Sequence, residues 1–347
     1  MSTLTQAPAP TAPDGHPQQG WSPRRLIPRL GGTTWLVWRQ HRAAFWTIIA
    51  LTLLSVAAMV FLRGQMMDYL RTLDPSEKKP GGLPPGFEPF GERLFDAGSY
   101  LGYLPVLAGV LLGAPLVAGD LETGTAKLVT SQSVSRLRWI TTKLAVPAAL
   151  IALSTGVLSA VYNWWWSPVK MSAQQMEWTS GVIFDVTGAM PVAYALLTFT
   201  VGVAVGMVLR RTLVSMVVTL GIVVAIGLVW DRFRVNLGHV MTVSTDKGVG
   251  PGAKQPELPA QAVQQGQGTD FLTSSGDRLD WMTCLDKMDD TKAHTACLES
   301  KHVVGWSMDY LPIDQMHTMQ WLGTAIMLTL TAAVTTFTIL WCRKRLL

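Results

Sequence analysis

Six apolar segments constrain this chain more than any other feature. They cover residues 43–62, 100–118, 144–164, 190–209, 213–230 and 321–341, and none contains Asp, Glu, Lys, Arg or His. A bilayer core about 30 Å thick needs about 20 residues of helix. Within lipid, a segment must satisfy its own backbone hydrogen bonds, which a helix does. The expected fold class is therefore an all-α integral membrane protein with six transmembrane helices. Composition agrees: only 15% of residues are charged, against about 25% in soluble domains. The fourth and fifth segments are separated by Arg210, Arg211 and Thr212 alone, which predicts a tight helical hairpin.

The net charge of +5 raises the question of nucleic acid. No Walker A sequence, zinc-finger spacing or RNA-binding signature accompanies it, so no nucleic-acid partner is expected. The basic residues instead sort by side. With both termini on one face, that face carries 14 Lys/Arg and 3 Asp/Glu, and the other carries 14 and 20 in much longer loops. The positive-inside rule then places both termini and the 119–143 loop in the cytoplasm of a cell-membrane protein. Trp164, Trp165, Trp166, Trp230 and Trp321 fall at the outer boundary, and Trp139 and Trp341 at the inner one. Such positions are expected to form an anchoring aromatic belt. The first apolar run starts at Ala43, too late and too long for a secretory signal core. Residues 1–23, rich in Ala, Pro, Thr and Gln, read as a disordered cytoplasmic tail.

The uncharged spans exclude much. Proton- and ion-coupled pumps use titratable groups at membrane depth, and intramembrane hydrolases need a Ser/His/Asp set or an HExxH helix there. Neither is present in the six segments. What the spans do offer is packing. Gly109-x-x-x-Gly113 and Gly202-x-x-x-Gly206 are small-residue faces that let helices approach closely. Pro105, Pro115, Pro147 and Pro191 predict kinks or soft joints.

Two segments lie on the outer side. Residues 63–99 read as a helical extension, a Pro/Gly-rich link (KKPGGLPPGFEPFG) and a re-entry, with Phe87, Phe90, Leu94 and Phe95 on an amphipathic element. The 89 residues of 231–319 form the largest soluble part; 245–268 is Gly/Pro/Gln-rich and reads as flexible, and 270–306 as partly helical. Cys284 and Cys297 fall in this segment, on the oxidising side, where a disulfide is expected. A rival reading sets them with His294 and His302 as metal ligands, but the spacing does not match a standard zinc module. Met308, Met316, His317 and Met319 are a second candidate set, for copper, against a packing role.

The most specific stretch is 118–139, AGDLETGTAKLVTSQSVSRLRW, between the second and third spans. Asp120 to Thr123 reads as a helix start, with carboxylates favouring the N-terminal dipole and Leu121, Leu128 and Gln132 on one face. Arg136, Arg138 and Lys143 read as a re-entry facing the anionic inner leaflet. Gly119-x4-Gly124-Thr125-Ala126 lacks the Lys-Ser/Thr of a P-loop, and no strand precedes it.

Three pieces in this order, GAPLVAGDLETGT, TSQSVSRLRW and the following Lys143, resemble the permease subunits of ABC-2 type transporters, especially actinobacterial ones. The head of the chain, TWLVWRQHR from Thr34 to Arg42, is similar to the amphipathic connecting helix that precedes their first span. Trp35, Trp38 and Arg42 share its face at helical spacing. The resemblance implies the six-span bundle of ABC-2, or type V, exporters, with an extracellular insertion between spans five and six. It divides the chain into a tail (1–23), a connecting helix (24–42), spans one to five (43–230) with a coupling loop (119–143), an extracellular segment (231–319), and span six with a basic end (320–347). It also implies that Asp120, Leu121, Glu122, Thr123, Gly124 and Thr125 contact an ABC ATPase subunit. Glu122 would pair with a basic group there, and Gly124 would permit close backbone approach.

The expected function is that of a non-catalytic permease subunit. It would export a hydrophobic or amphipathic substrate, with ATP and Mg2+ bound by the partner ATPase and no cofactor in this chain. A second permease subunit, identical or not, would complete the assembly. Two alternatives stand beside it: a membrane sensor or anchor whose extracellular segment binds a ligand or partner, and a self-contained transporter or channel.

Overall fold

Why each span begins, bends and ends is visible in a computed structural model that describes residues 33–74, 84–125, 135–171, 177–249 and 253–345. Six helices among them are long and apolar enough to cross a membrane. The first, α1 (Thr33–Thr72), has 40 residues and so measures about 60 Å, twice the bilayer core. Its N-terminal part is the described portion of the expected connecting helix. A kink at His41 (φ −110°, ψ 15°) sets that part apart from the span proper. Past residue 62 the helix continues well beyond the apolar run, as the expected extension. Residues 1–32 lie outside the described set.

The second span is built in pieces: α2 (Glu88–Gly102), α3 (Leu104–Leu107), a π-helical turn (Ala108–Gly113) and α4 (Ala114–Glu122). Pro105 and Pro115 sit in the first turns of α3 and α4, where the missing N–H costs least. The third span is α5 (Arg136–Trp166), capped by the Ser135 hydroxyl, which accepts from the Arg138 N–H. A short α6 (Gly181–Phe184) precedes α7 (Met190–Leu209), the fourth span. Arg210 adopts a left-handed φ of 56° and turns the chain directly into α8 (Thr212–Phe233), the expected hairpin.

The two small-residue faces pack on one another. A Cβ on Gly109 would stand 2.8 Å from the Thr198 carbonyl oxygen, and one on Gly113, Gly202 or Gly206 would run into the backbone carbonyl of Phe199, Gly109 or Ala114. The Thr198 hydroxyl donates to the Pro105 carbonyl at 2.6 Å, fastening α7 to the joint. Most of α7 is buried, whereas α1, α8 and the last helix, α10 (Met316–Arg345), expose most of their apolar windows. The fourth span is thus the bundle's core helix.

The expected aromatic belt is largely overturned. Trp139, Trp165, Trp166 and Trp230 are buried, and only Trp164 and Trp321 are well exposed. A boundary position says how deep a tryptophan lies, not which way its ring turns. Here the rings turn inward and fill the wide ends of the bundle.

The insertion between α8 and α10 holds a four-stranded antiparallel sheet, which the sequence reading did not anticipate. Its strands β1 (Met241–Thr245), β2 (Val263–Thr273), β3 (Arg278–Leu279) and β4 (Val303–Leu311) lie in the order β1-β4-β2-β3. The flexible reading of 245–268 is corrected over 263–268, which belong to β2. That strand looks irregular in sequence because a bulge between Gln265 and Asp270 uses Gly266 and Gly268 at positive φ. Helix α9 (Thr291–Ser300) supplies the expected helical part. Phe271, Leu298, Val303, Trp306 and the disulfide Cys284–Cys297 form a separate small core. With both sulfurs in that bond, neither is a thiolate ligand. Met316 and Met319 are buried in the bundle's apolar core, Met308 is buried on β4, and His317 accepts from the Trp321 indole N–H at 2.9 Å. Among the described residues no three His, Cys, Asp or Glu side chains gather as a metal site. Gln315 and His239 exchange two hydrogen bonds at the base of the insertion.

Candidate coupling site

Asp120, Leu121 and Glu122 end α4; they do not begin a helix. This corrects the expected helix start. The register of the second span runs on without a breaker until Thr123 caps the helix and Gly124 follows at φ +74°, the left-handed position after a helix end that favours glycine. Among the described residues no atom lies within 4 Å of where its Cβ would stand. Two carboxylates at a helix C-terminus oppose the dipole, and each is compensated from another span.

Asp120 is 6% exposed. It is ion-paired with Lys143 of α5, whose side chain is 1% exposed. The Lys143 ammonium also donates to the Leu116 carbonyl at 2.8 Å and lies 5.3 Å from the centre of the Trp139 ring. From α1, Gln40 Nε2 donates to the other Asp120 oxygen at 2.8 Å. One carboxylate thus joins the connecting portion of α1 to spans two and three. Lys143 is therefore not directed at lipid headgroups, as its neighbourhood of Arg136 and Arg138 suggests; Arg138 is exposed, and Lys143 turns in. The available signal was an acid ending one uncharged span and a base opening the next, since charges beside apolar spans tend to find each other.

Glu122 reaches a fourth element. Its carboxylate accepts from the Thr212 N–H at 2.9 Å and the Thr212 hydroxyl at 2.7 Å. Arg211, the N-cap of α8, provides no side-chain cap of its own. Glu122 takes that place, with its negative charge at the positive end of the α8 dipole. Neither Thr212 nor Gln40 was singled out from the sequence, because neither belongs to a local motif.

The remaining candidates surround this node. Leu121 is half-buried against the core beside Leu116 and Trp139. Thr123 is exposed, its hydroxyl donating to the Gly119 carbonyl at 2.8 Å. Thr125 lines a pocket of about 450 Å3 with Leu36, Val37 and Arg39 of α1, Trp139 and Asp120. On the connecting portion of α1, Trp35 is exposed under the Arg39 guanidinium at 5.1 Å. Trp38 turns onto Phe45 at 5.3 Å, and Arg42 is exposed. Leu128 and Gln132 lie outside the described residues.

At the far end of the bundle a second carboxylate is half-buried. Asp185, just past α6, accepts from the Trp230 indole at 2.7 Å and pairs with Arg234 at 3.2 Å. Arg234 also donates to the Thr179 carbonyl and pairs with Asp231. Burial pushes the Asp185 carboxyl up to about 6, against the opposing pull of Trp230 and Arg234. Gln320 of α10 donates to the Phe184 and Thr187 carbonyls, and Trp178 to the Gln261 carbonyl. Residues 177–189 are thereby tied to spans five and six and to the insertion.

No curated protein and no solved structure matches the chain. A family model described as ABC-2 membrane transporter related matches residues 48–234. That stretch holds most of span one, spans two to five, the whole Asp120–Thr125 segment and two of its three anchors, Lys143 and Thr212; the third, Gln40, precedes it. The match covers more than half of the chain, and with its six apolar helices this multi-pass membrane protein belongs to the ABC-2 membrane transporter related family.

Proposed function

We propose that the protein is a permease subunit driven by a separate ABC ATPase, and that the Asp120–Thr125 segment receives the ATPase's motion. The observation that carries this reading is the set of ties at the end of α4: Asp120 to Gln40 and Lys143, and Glu122 to Thr212. A displacement of this one turn pulls on the connecting portion of α1 and on spans three and five together. The segment lies in the cytoplasm with both termini, as the basic residues on that side favour. Two such bundles and two ATPases form the transporter, which exports a hydrophobic or amphipathic cargo through spans that carry no charge at mid-membrane.

The test is purification of the tagged chain from its native membrane in mild detergent. A stoichiometric ATPase is expected with the wild type and with Glu122→Gln, which retains an oxygen for Thr212. It is expected to be lost, together with transport, with Glu122→Lys. An intact, monodisperse wild type that never carries an ATPase overturns the reading and leaves the folded 231–319 segment as the place to seek a ligand.

A further inference from the structure

A second pocket, of about 320 Å3, lies between the far half of α1 and α2. Its apolar walls are Ala58, Met59 and Leu62 of α1 and Ala97 and Leu101 of α2, with Arg93 and Asp96 at its mouth and Ser55 at its deep end. These positions recur every three or four residues on each helix, so they form one face of each. Beside the pocket, the Gln65 side-chain oxygen accepts from Arg93 Nη1 at 2.9 Å. From Leu62 down to Ser55 the groove is about 10 Å long, most of the depth of one bilayer leaflet.

The charges at the mouth say what fits. Arg93 and Asp96 are three residues apart on an exposed helix face, yet they form no ion pair with each other. Arg93 bonds the neutral Gln65 and lies 5.9 Å from the Phe90 ring. Among the described residues Asp96 has no hydrogen-bond or ion-pair partner. An anionic amphiphile would satisfy the guanidinium and be repelled by the carboxylate, and a cationic one the reverse. A headgroup with phosphate and ammonium two carbons apart satisfies both, since side chains at this spacing lie about 5–6 Å apart at Cβ.

We propose that this groove binds one phospholipid of the bilayer with a zwitterionic, phosphate–ammonium headgroup: phosphate on Arg93, ammonium on Asp96, and an acyl chain along Ala58, Met59 and Leu62. The site is on the insertion side, in the outer leaflet of the orientation given above. It does not depend on an ATPase.

The full-length protein is reconstituted in equimolar phosphatidylethanolamine and phosphatidylglycerol, re-extracted in mild detergent, and its retained lipid measured by native mass spectrometry. The wild type is expected to keep phosphatidylethanolamine in about ten-fold excess, the effect of one charge-assisted hydrogen bond. Asp96→Asn should bring the two lipids to about equal retention, and Arg93→Gln should lower phosphatidylethanolamine about ten-fold. Both side chains are exposed, so neither change threatens folding. Equal retention by the wild type, or an unchanged preference in both variants, overturns the proposal. Glu122→Lys should retain lipid like the wild type. If it does not, the groove holds cargo in transit, and the resident-lipid site is wrong.

Discussion

Two carboxylates, one at each end of the bundle, the first buried and the second half-buried, are neutralised in different ways. Asp120 meets a lysine, a compact charge whose donors go to Asp120 and the Leu116 carbonyl. Asp185 meets an arginine, whose planar fork serves Asp185, Asp231 and the Thr179 carbonyl at once. The first pair joins different membrane spans. The second stitches a surface segment onto the end of one span. A pair between spans can shift when the spans shift; a fork onto neighbouring backbone holds a cap in place. The difference separates an end where spans are tied to one another from an end where a segment is tied onto one span.

The sharpest way to break the comparison is to leave one member of the inter-span pair alone. Lys143→Met strands the Asp120 carboxylate in the interior, at an expected cost of about 3–5 kcal/mol. The double variant Lys143→Met/Asp120→Leu should recover most of that loss in thermal unfolding of the detergent-purified protein. A double variant as unstable as the single one would show that the pair's charge is not what matters.

The far end should reveal itself through pH. With its carboxyl raised from 3.8 to about 6, the folded protein keeps the Asp185 proton over a range where the unfolded chain has released it. The stabilisation is therefore complete below pH 4 and lost as pH rises through 6, by about 3 kcal/mol. Asp185→Asn should flatten that part of the stability–pH curve. An unchanged curve would move the titration to another group.

A smaller effect tests the fork. Arg234→Lys keeps the charge but cannot serve three partners, and should cost about 1–2 kcal/mol. No loss would mean that charge alone suffices there, as at Lys143.

The smallest effect on the bundle should come from reducing Cys284–Cys297. Opening that loop removes about 3 kcal/mol from the insertion in the chain-entropy model. The two thiols should label only after reduction. The unfolding midpoint of the bundle should not change, because the insertion has its own core. A shift would show that Leu311 and Val263, which pack from β4 and β2 into the bundle core beside the Gln315 and Trp178 hydrogen bonds, pass the loosening on to the spans.

Much of this architecture was legible beforehand. Residues Gly109, Gly113, Gly202 and Gly206 announced a close approach, and the structure adds that they meet each other. Asp120–Thr125 stand out by their resemblance to a family motif, yet Asp120, Leu121 and Glu122 end a helix where their carboxylates suggest that one starts. The missing information was the continuity of α4 up to Gly124. In the insertion, β2 was hidden because its glycines serve a bulge and resemble a flexible link.

What the sequence by itself determined is what depends on neighbours along the chain: six spans from uninterrupted apolar length, the hairpin turn from three intervening residues, and a disulfide from two cysteines in one loop. What only the tertiary structure decided are the pairings across distance. Asp120 finds Lys143 23 residues away, and Glu122 finds Thr212 90 residues away. Four tryptophans at the membrane boundary turn into the core. Hydrophobic length is a sum along the chain, so it can be read from the chain. Which buried charge meets which partner depends on how helices lean together, and no local pattern encodes that.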